Sequence, residues 1–515
     1  KLKVMTKYKP IIFLAFLFLA GCTKDFEEIN TNPNSPDKIT SPGVLFTNVI
    51  RGSVNGNFGS SYRMGVIAGD MNYNDFSGNF SNWARADASG LFLWNYYDYI
   101  RDLNEVIKIA ETDGLNNYKG VALVLRSWMF QNLTDLYGPI PFREAANAKL
   151  QGIASPKYEQ QQAVYTGLLA DLEEANTLLG STSENVLGDI IFNSDISRWK
   201  KFSTGLMIRL LMRQSKQVDP SAALTNILNN PAKYPLFTSN ADQAALDYIA
   251  DSDGNSMPLF TRSASDYVTS TRVSKNLVDN LKMLNDPRLP VYALPTQVSV
   301  VGTDPDPADF EYEGGVNGNG PLSDPRNYSA PGMLWAPRSY APDLASKDAA
   351  QGIILTYSEE QFNLAEAAEK GYISGGSAAA ADYYLNGIED QFAYYAARVG
   401  SRYAASYLKL KGEDVIPDNS YYTQSAVAYS GTQEEKLEKI ARQKWLSLYF
   451  VGYEAWFEWR RTGFPEIVIG TQGPGYIARR ALYPADETRI NETNYAQAVQ
   501  WLGADDLKTR VWWDK

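Results

Sequence analysis

Residues 439–465 read KIARQKWLSLYFVGYEAWFEWRRTGFP. Their apolar and aromatic positions divide between two helices, expected over roughly 434–450 and 453–462. Trp445 and Trp456 sit at helical spacing and are expected in the core. Arg460 and Arg461 close the second helix, where positive charge complements the macrodipole. Two short helices joined by a tight break form a hairpin, and a hairpin cannot bury its apolar face alone.

The same pattern recurs upstream. Trp94, Tyr97, Ile100, Leu103, Ile107 and Ala110 share one face. After the Asp-Gly break at 113–114, Val121, Ala122, Leu125, Trp128, Met129, Leu133 and Leu136 share another. Gly138 and Pro139 stop that helix, because proline lacks the amide a helix interior needs. A second pair spans about 159–179 and 196–217, with Trp199, Phe202, Leu206, Leu210 and Met212 in its second member. A third spans about 357–372 and 378–398, split by ISGGS at 373–377. Four recurring pairs predict a mainly α fold of stacked helical hairpins, although the tetratricopeptide consensus is absent. Two regions break the pattern and are expected to be irregular, about 51–90 and a Gly/Pro/Asn/Asp-rich insert at about 231–355. Loops that long inside a compact domain commonly carry function.

At the other end, FLFLAGCTKDFEE (16–28) holds the only cysteine of 515 residues. Lys1, Lys3, Lys7 and Lys9 precede a ten-residue apolar run, Ile11 to Ala20, which suits a secretory signal and is short for a permanent span. Leu19-Ala20-Gly21-Cys22 has the spacing of a bacterial lipobox, so residues 1–21 are expected to be a signal peptide and Cys22 the lipidated residue. Residues 22–42 read as a polar tether and 43–515 as one domain. Asp25, Glu27 and Glu28 after the cysteine are similar to a surface-export tag, which predicts an outer-membrane, lipid-anchored protein facing the cell exterior.

Composition excludes several functions. The net charge is −11, and removing residues 1–21 with their four lysines takes it to about −15. A chain that acidic repels phosphate backbones, so no nucleic-acid partner is expected. The chain contains no histidine, which removes His-based triads and HExxH zinc sites. Aromatic residues make up 13%, including 33 Tyr and 11 Trp, a supply that suits a binding surface as well as a core.

Several stretches resemble the SusD/RagB-like family of outer-membrane nutrient-binding lipoproteins. They are the lipobox with INTNPNSP (29–36), LTDLYGPIPFREA (133–145), SRWKKFSTGLMIRLLMR (197–213), LTYSEEQFNLAEAAEKGY (355–372), the 439–465 block, RRALYPADETRINETNYAQAVQ (479–500) and DDLKTRVWWDK (505–515). One departure is Ser203-Thr204-Gly205, where the family usually has Ala-Asn-Ser; it reads as a packing change. The resemblance implies an α-α superhelix of four tetratricopeptide-like helix pairs, with the irregular loops carrying a ligand site. It also implies a partner, a SusC-like TonB-dependent transporter barrel that the lipoprotein covers as a lid. Most relatives bind glycans and some bind peptides. The expected function is therefore capture of oligosaccharides for such a transporter. The alternatives are a peptide-binding lid and a helical-repeat scaffold with protein partners only.

Glycan binding needs flat aromatic faces and groups that bond hydroxyls. The first irregular region supplies Asp70, Asn72, Tyr73, Asn74, Phe76, Trp83 and Arg85, and the second supplies Trp335, Arg338 and Tyr340. The competing reading of Trp83 and Trp335 is that each plugs its loop onto the scaffold. Asp251, Asp253 and Asn255 begin a calcium-loop pattern, but the glycine comes one position early and no Glu follows at the twelfth place. An Asx-type turn is the expectation there, with no metal and no cofactor. Glu366 and Glu369 lie one turn apart, where a solvated or capping role is expected, and no other carboxylate pair announces a glycosidase. GGVNGNG (314–320) neither follows a strand nor opens a helix, so it reads as a turn-rich loop. VWWDK is expected to dock the C-terminus. No enzymatic chemistry is predicted.

Overall fold

Helices form where the three-to-four spacing puts them, in four antiparallel pairs: α1 (Tyr96–Asp113) with α2 (Asn116–Tyr137), α3 (Gln161–Leu178) with α4 (Ile196–Arg213), α5 (Tyr357–Glu369) with α6 (Gly376–Ala404, broken at Gly400), and α7 (Gln433–Ser447) with α8 (Glu454–Thr462). The computed structural model describes residues 41–74, 91–248, 255–263, 265, 267, 271–337, 350–473 and 475–515. Side-chain caps fix several starts. Asp195 accepts from the amides of Ser197 and Arg198 at the head of α4, and Thr356 accepts from Glu359 at the head of α5. Thr432 and Glu435 form a reciprocal capping box on α7. Gly114 ends α1 in the left-handed conformation that glycine adopts without strain.

The pairs stack in sequence order, with α2 against α3, α4 against α5, and α5 against α7. Trp128, Trp199, Trp445 and Trp456 are buried as expected, while Trp94 is half-buried against Tyr97, Tyr137 and Tyr483. Three two-stranded ribbons complete the described residues. They pair Ile140–Pro141 with Tyr158–Glu159, Ala244–Leu246 with Gly352–Leu355, and Asn72–Asn74 with Thr271–Val273.

The first irregular region is shorter than the sequence suggests. Residues Gly43–Ser60 form a helix that continues through a π turn, Ser61–Gly65, to Val66–Ala68. Its glycines disguise it, because glycine lowers helix propensity by about 1 kcal/mol each. At some of them, close approach of a neighbour demands glycine. A Cβ at Gly52 would collide with the Tyr99 ring, and one at Gly65 with the Gly452 carbonyl oxygen.

The expectation for Glu366 and Glu369 needs correction. Glu366 and Glu369 are neither solvated nor capping but buried and paired. Glu366 accepts from Arg461 at 2.6 Å, and Glu369 accepts from Ser377 and Tyr429 at 2.7 Å each. Arg460 and Arg461 do close α8, yet both are buried. Arg460 lies over the rings of Trp456 and Trp513 and donates to the Asp135 carbonyl at 2.6 Å. The terminal segment docks as expected, with the Trp513 indole donating to Asp135 at 2.7 Å.

Glu366 and Arg461 belong to one buried ion network that stitches five helices together. Arg209 pairs with Glu359 at 2.6 Å and Glu454 at 3.2 Å, and Arg213 with Asp135 at 2.9 Å and Glu454 at 2.5 Å. Glu458 pairs with Lys444 at 2.9 Å and Arg461 at 2.7 Å. Burial alone would raise the carboxyl of Glu366, but the Arg461 guanidinium outweighs it and brings the group down to about 2. Glu458 is likewise held well below the usual carboxylate range, burial being overcome by Arg461, Lys444 and Arg213.

Candidate ligand-binding site

Each element around the candidate residues is placed by backbone pairing. Strand β1 (Asn72–Asn74) runs antiparallel to β2 (Thr271–Val273), with Asn72 opposite Val273 and Tyr73 opposite Arg272. Asp70 precedes β1 in the left-handed region at φ 53°, a conformation aspartate tolerates better than most residues. Ser274 ties the ribbon to the next helix. Its hydroxyl donates to the Asp70 carbonyl at 2.6 Å and accepts from the Leu277 amide at 3.0 Å, capping Lys275–Met283.

The glycine-rich loop 314–320 closes over this ribbon. Gly315 donates to the Val273 carbonyl at 2.9 Å and accepts from Lys275 at 2.8 Å. A Cβ at Gly314 would collide with the Ser274 backbone, so only glycine lets the loop lie this close. Asn317 donates to the Asp70 carboxylate at 2.8 Å and the Asn72 carbonyl at 2.9 Å, and Tyr73 donates to the Gly320 carbonyl. The loop is thus the turn-rich element expected, and it walls a cleft.

That cleft has a volume of about 210 Å³, with Asp70 and Asn276 within it and Lys275, Asp279, Glu466 and Val468 around them. Val468 is 68% exposed, so the rim offers an apolar surface to solvent. Burial pushes the Asp70 carboxyl up to about 7, against hydrogen bonds from Asn317 and Asn276 that pull it down. Asp70 is therefore a hydrogen-bonding group whose donor or acceptor character changes near neutral pH. A cleft with one buried carboxyl, asparagine amides, a Lys275–Asp279 ion pair at 2.9 Å and an apolar rim can hold a polar, uncharged molecule by hydrogen bonds.

The other candidates divide sharply. Asn72 and Tyr73 are fully buried, and Asn72 accepts from the Tyr449 hydroxyl at 2.8 Å. Trp335 is 3% exposed and presents no free face. Its ring stacks on Phe450 at 4.8 Å and meets the edge of Tyr449 at 4.8 Å, so it is the plug of the competing reading. Asn74 pairs with Thr271 through its backbone. Cys22, Phe76, Trp83, Arg85, Arg338, Tyr340, Asp251 and Asp253 lie outside the described residues, and Asn255, the third calcium-pattern residue, is described and half-buried. Of the described candidates, Asp70 alone lines the cleft. Sequence reasoning missed Asn276, Asp279, Glu466 and Val468, which lie far from Asp70 in the chain and carry no shared motif. Among the described residues, no group of three or more Asp, Glu, Cys or His side chains is placed to hold a metal ion, and no helix is long and apolar enough to cross a membrane.

A family model described as SusD-like, starch-binding and associating with the outer membrane matches residues 33–484. Among solved structures, a SusD homologue from Bacteroides fragilis NCTC 9343 is 25% identical, with a TM-score of 0.77, covering 93% of this chain and 100% of its own. A protein described as chitin-binding is 27% identical, with a TM-score of 0.72, covering 92% of this chain and 99% of its own. A chitin-binding SusD homologue from Flavobacterium johnsoniae has a TM-score of 0.68 at 22% identity, covering 90% of this chain and 99% of its own, a likeness of fold. No curated protein matches the chain.

Proposed function

The chain belongs to the SusD-like family of starch-binding, outer-membrane-associated proteins, and on that footing we propose that it captures oligosaccharides at the outer face of the outer membrane and passes them to a TonB-dependent transporter. Cys22, lipidated after removal of residues 1–21, anchors it through the polar tether. The ligand lies in the cleft at Asp70, and Trp83, Arg85, Arg338 and Tyr340 supply stacking faces and charged donors. No bond in the sugar is made or broken. The observation that carries this reading is the family match over most of the chain, from residue 33 to 484. The cleft supports it chemically, since a neutral polyol satisfies a buried carboxyl and amides without a desolvated charge.

Capture built from a few stacked rings and a handful of hydrogen bonds gives dissociation constants on the order of micromolar to millimolar. Weak capture suits a protein that must release its cargo. The test is affinity electrophoresis and calorimetry of the chain from Thr23, without the lipidated cysteine, against starch, chitin and a peptide digest. Trp83→Ala is run alongside. Binding to one glycan class, lost in the variant, is the expected result. Peptide binding alone would move the protein to the alternative cargo, and cleavage of the recovered glycan would refute the absence of chemistry. Silence across the panel with a folded variant would leave a helical scaffold.

A further inference from the structure

A second cavity, of about 200 Å³, shares no residue with the cleft at Asp70. It opens where three elements meet: the start of α3, the end of the helix Glu492–Leu502, and the terminal turn Trp512–Asp514. Asn491 and Asn494 hold the second of these elements to the chain before α3, donating to the carbonyls of Pro156 at 2.9 Å and Ser155 at 3.2 Å.

Its walls combine two kinds of group. Trp501 is 38% exposed, although indole is the most costly side chain to leave in water, and Trp512 is half-buried with its ring edge-on to Tyr165 at 6.0 Å. Gln160, Gln161 and Gln162 line the other side in succession. Gln161 is 2% exposed; its amide nitrogen donates to the Thr134 carbonyl at 2.7 Å, which leaves Oε1 as a buried acceptor without a partner. Gln160 is the N-cap of the 18-residue α3 and makes no side-chain cap, so the first-turn amides stand as donors beside that acceptor. A buried acceptor without a protein partner, uncapped first-turn amides and two indole rings around one cavity suit a ligand that gives and takes hydrogen bonds while offering a flat C–H face.

From this juxtaposition we infer that the cavity formed by Gln160–Gln162, Trp501 and Trp512 is a second saccharide-binding site, taking one sugar unit of a chain. Once the Gln161 side chain turns its Oε1 into the cavity, a sugar hydroxyl donates to it and accepts from the α3 amides, while the ring stacks on Trp501. The volume is below the roughly 300–1,000 Å³ of pockets that enclose a whole drug-sized ligand, so the rest of the chain stays in solvent. A protein that grips one polymer at two separate places gains by effective concentration what each weak site lacks. The inference stands on these side chains and does not require that the Asp70 cleft be the primary site.

The test is ¹⁹F NMR of the chain from Thr23 labelled with 5-fluorotryptophan, with Trp501 and Trp512 assigned by Trp→Phe substitution. Maltohexaose and chitohexaose are titrated separately. The expected result is a saturable shift of both resonances with at least one sugar. Trp501→Ala, at a part-exposed position, and Gln162→Ala, at an exposed one, should each weaken that response about 10-fold, read at the remaining indole. Trp83→Ala should leave the size of the shift at saturation unchanged and cost only the affinity that a second grip adds. Sugar binding that leaves both resonances still overturns this inference while the proposed function stands. Shifts at Trp501 and Trp512 that persist when Trp83→Ala has lost all other binding support this site and the loop site together, as two separate places. No shift with either sugar, or movement only on adding a partner protein, overturns the inference.

Discussion

Glu366→Gln tests whether the buried network stabilises the fold through charge. Glu366 is buried, receives both arms of the Arg461 guanidinium, and pairs with Lys370 at 2.7 Å. Its carboxyl moves from 4.5 to about 2 in the folded chain. A folded value below the unfolded one means the unfolded chain binds the proton more readily, so this contribution is present above pH 4.5 and is lost as pH falls toward 2. The displacement of about 2.5 units corresponds to roughly 3 kcal/mol at pH 7. At pH 3 the same linkage leaves only about 1.4 kcal/mol. Glutamine keeps the shape and one carbonyl acceptor for Arg461, so the substitution removes mostly charge. Urea unfolding, followed by tryptophan fluorescence at pH 7 and pH 3, gives the stability difference between the wild type and the variant at each pH. The expected deficit is about 3 kcal/mol, shrinking by about half at pH 3. A deficit below about 1 kcal/mol at pH 7 or one independent of pH would refute the reasoning, because the ion pairs would then merely offset their own desolvation.

Asp70 carries the opposite sign. Its folded value of about 7 lies above the ordinary 3.8, so ionising it destabilises the fold progressively between about pH 4 and 7. Asp70→Asn should therefore match the wild type near pH 4 and exceed it at pH 8, by up to about 4 kcal/mol, in the same urea experiment. Equal stability at pH 8 would mean that the carboxyl is solvated there. Trp335→Ala should cost about 3–5 kcal/mol by melting, because it empties a site between Phe450 and Tyr449. A melting temperature unchanged by that substitution would show that the indole leaves its seat.

The helix pairs were legible because their faces are continuous: Trp199, Phe202, Leu206 and Leu210 keep one side of α4 apolar for about three turns. The helix Gly43–Ser60 was not, because Gly52, Gly56 and Gly59 look like loop residues, and only the structure shows Tyr99 pressing on the backbone at Gly52. Charged residues were misjudged for a similar reason. A Glu in LAEAAEK is solvated by default, and its partner Arg461 lies 95 residues away. The candidate site was legible as a neighbourhood and not as a surface. Composition pointed to the chain around Asp70 and Trp335, but composition does not say which side of a ribbon faces out. Asn72 and Tyr73 turn inward to Tyr449 and the 314–320 loop, while Asp70 lines the cleft.

Burying five carboxylates and four cations is a poor route to stability, since apolar replacements commonly do as well or better. It does impose registry. Asp135 lies on α2, Arg209 and Arg213 on α4, Glu359 and Glu366 on α5, Lys444 on α7, and Glu454, Glu458 and Arg461 on α8. Slipping one helix by a turn would strand charges in the interior at several kcal/mol each. The hairpin α7–α8 carries that registry to the cleft. On one side Glu454 and Glu458 hold Arg213 and Lys444. On the other, the Trp445 indole donates to the Gly69 carbonyl at 2.8 Å, Tyr449 holds Asn72, and Phe450 stacks on Trp335. Gly69 precedes Asp70, so the residue at the base of the cleft is positioned by a hairpin whose own place is set by ion pairs to α4 and α5. A loop site that must meet a chain of sugars in one orientation gains from a support that cannot slide, and the 439–465 stretch supplies it.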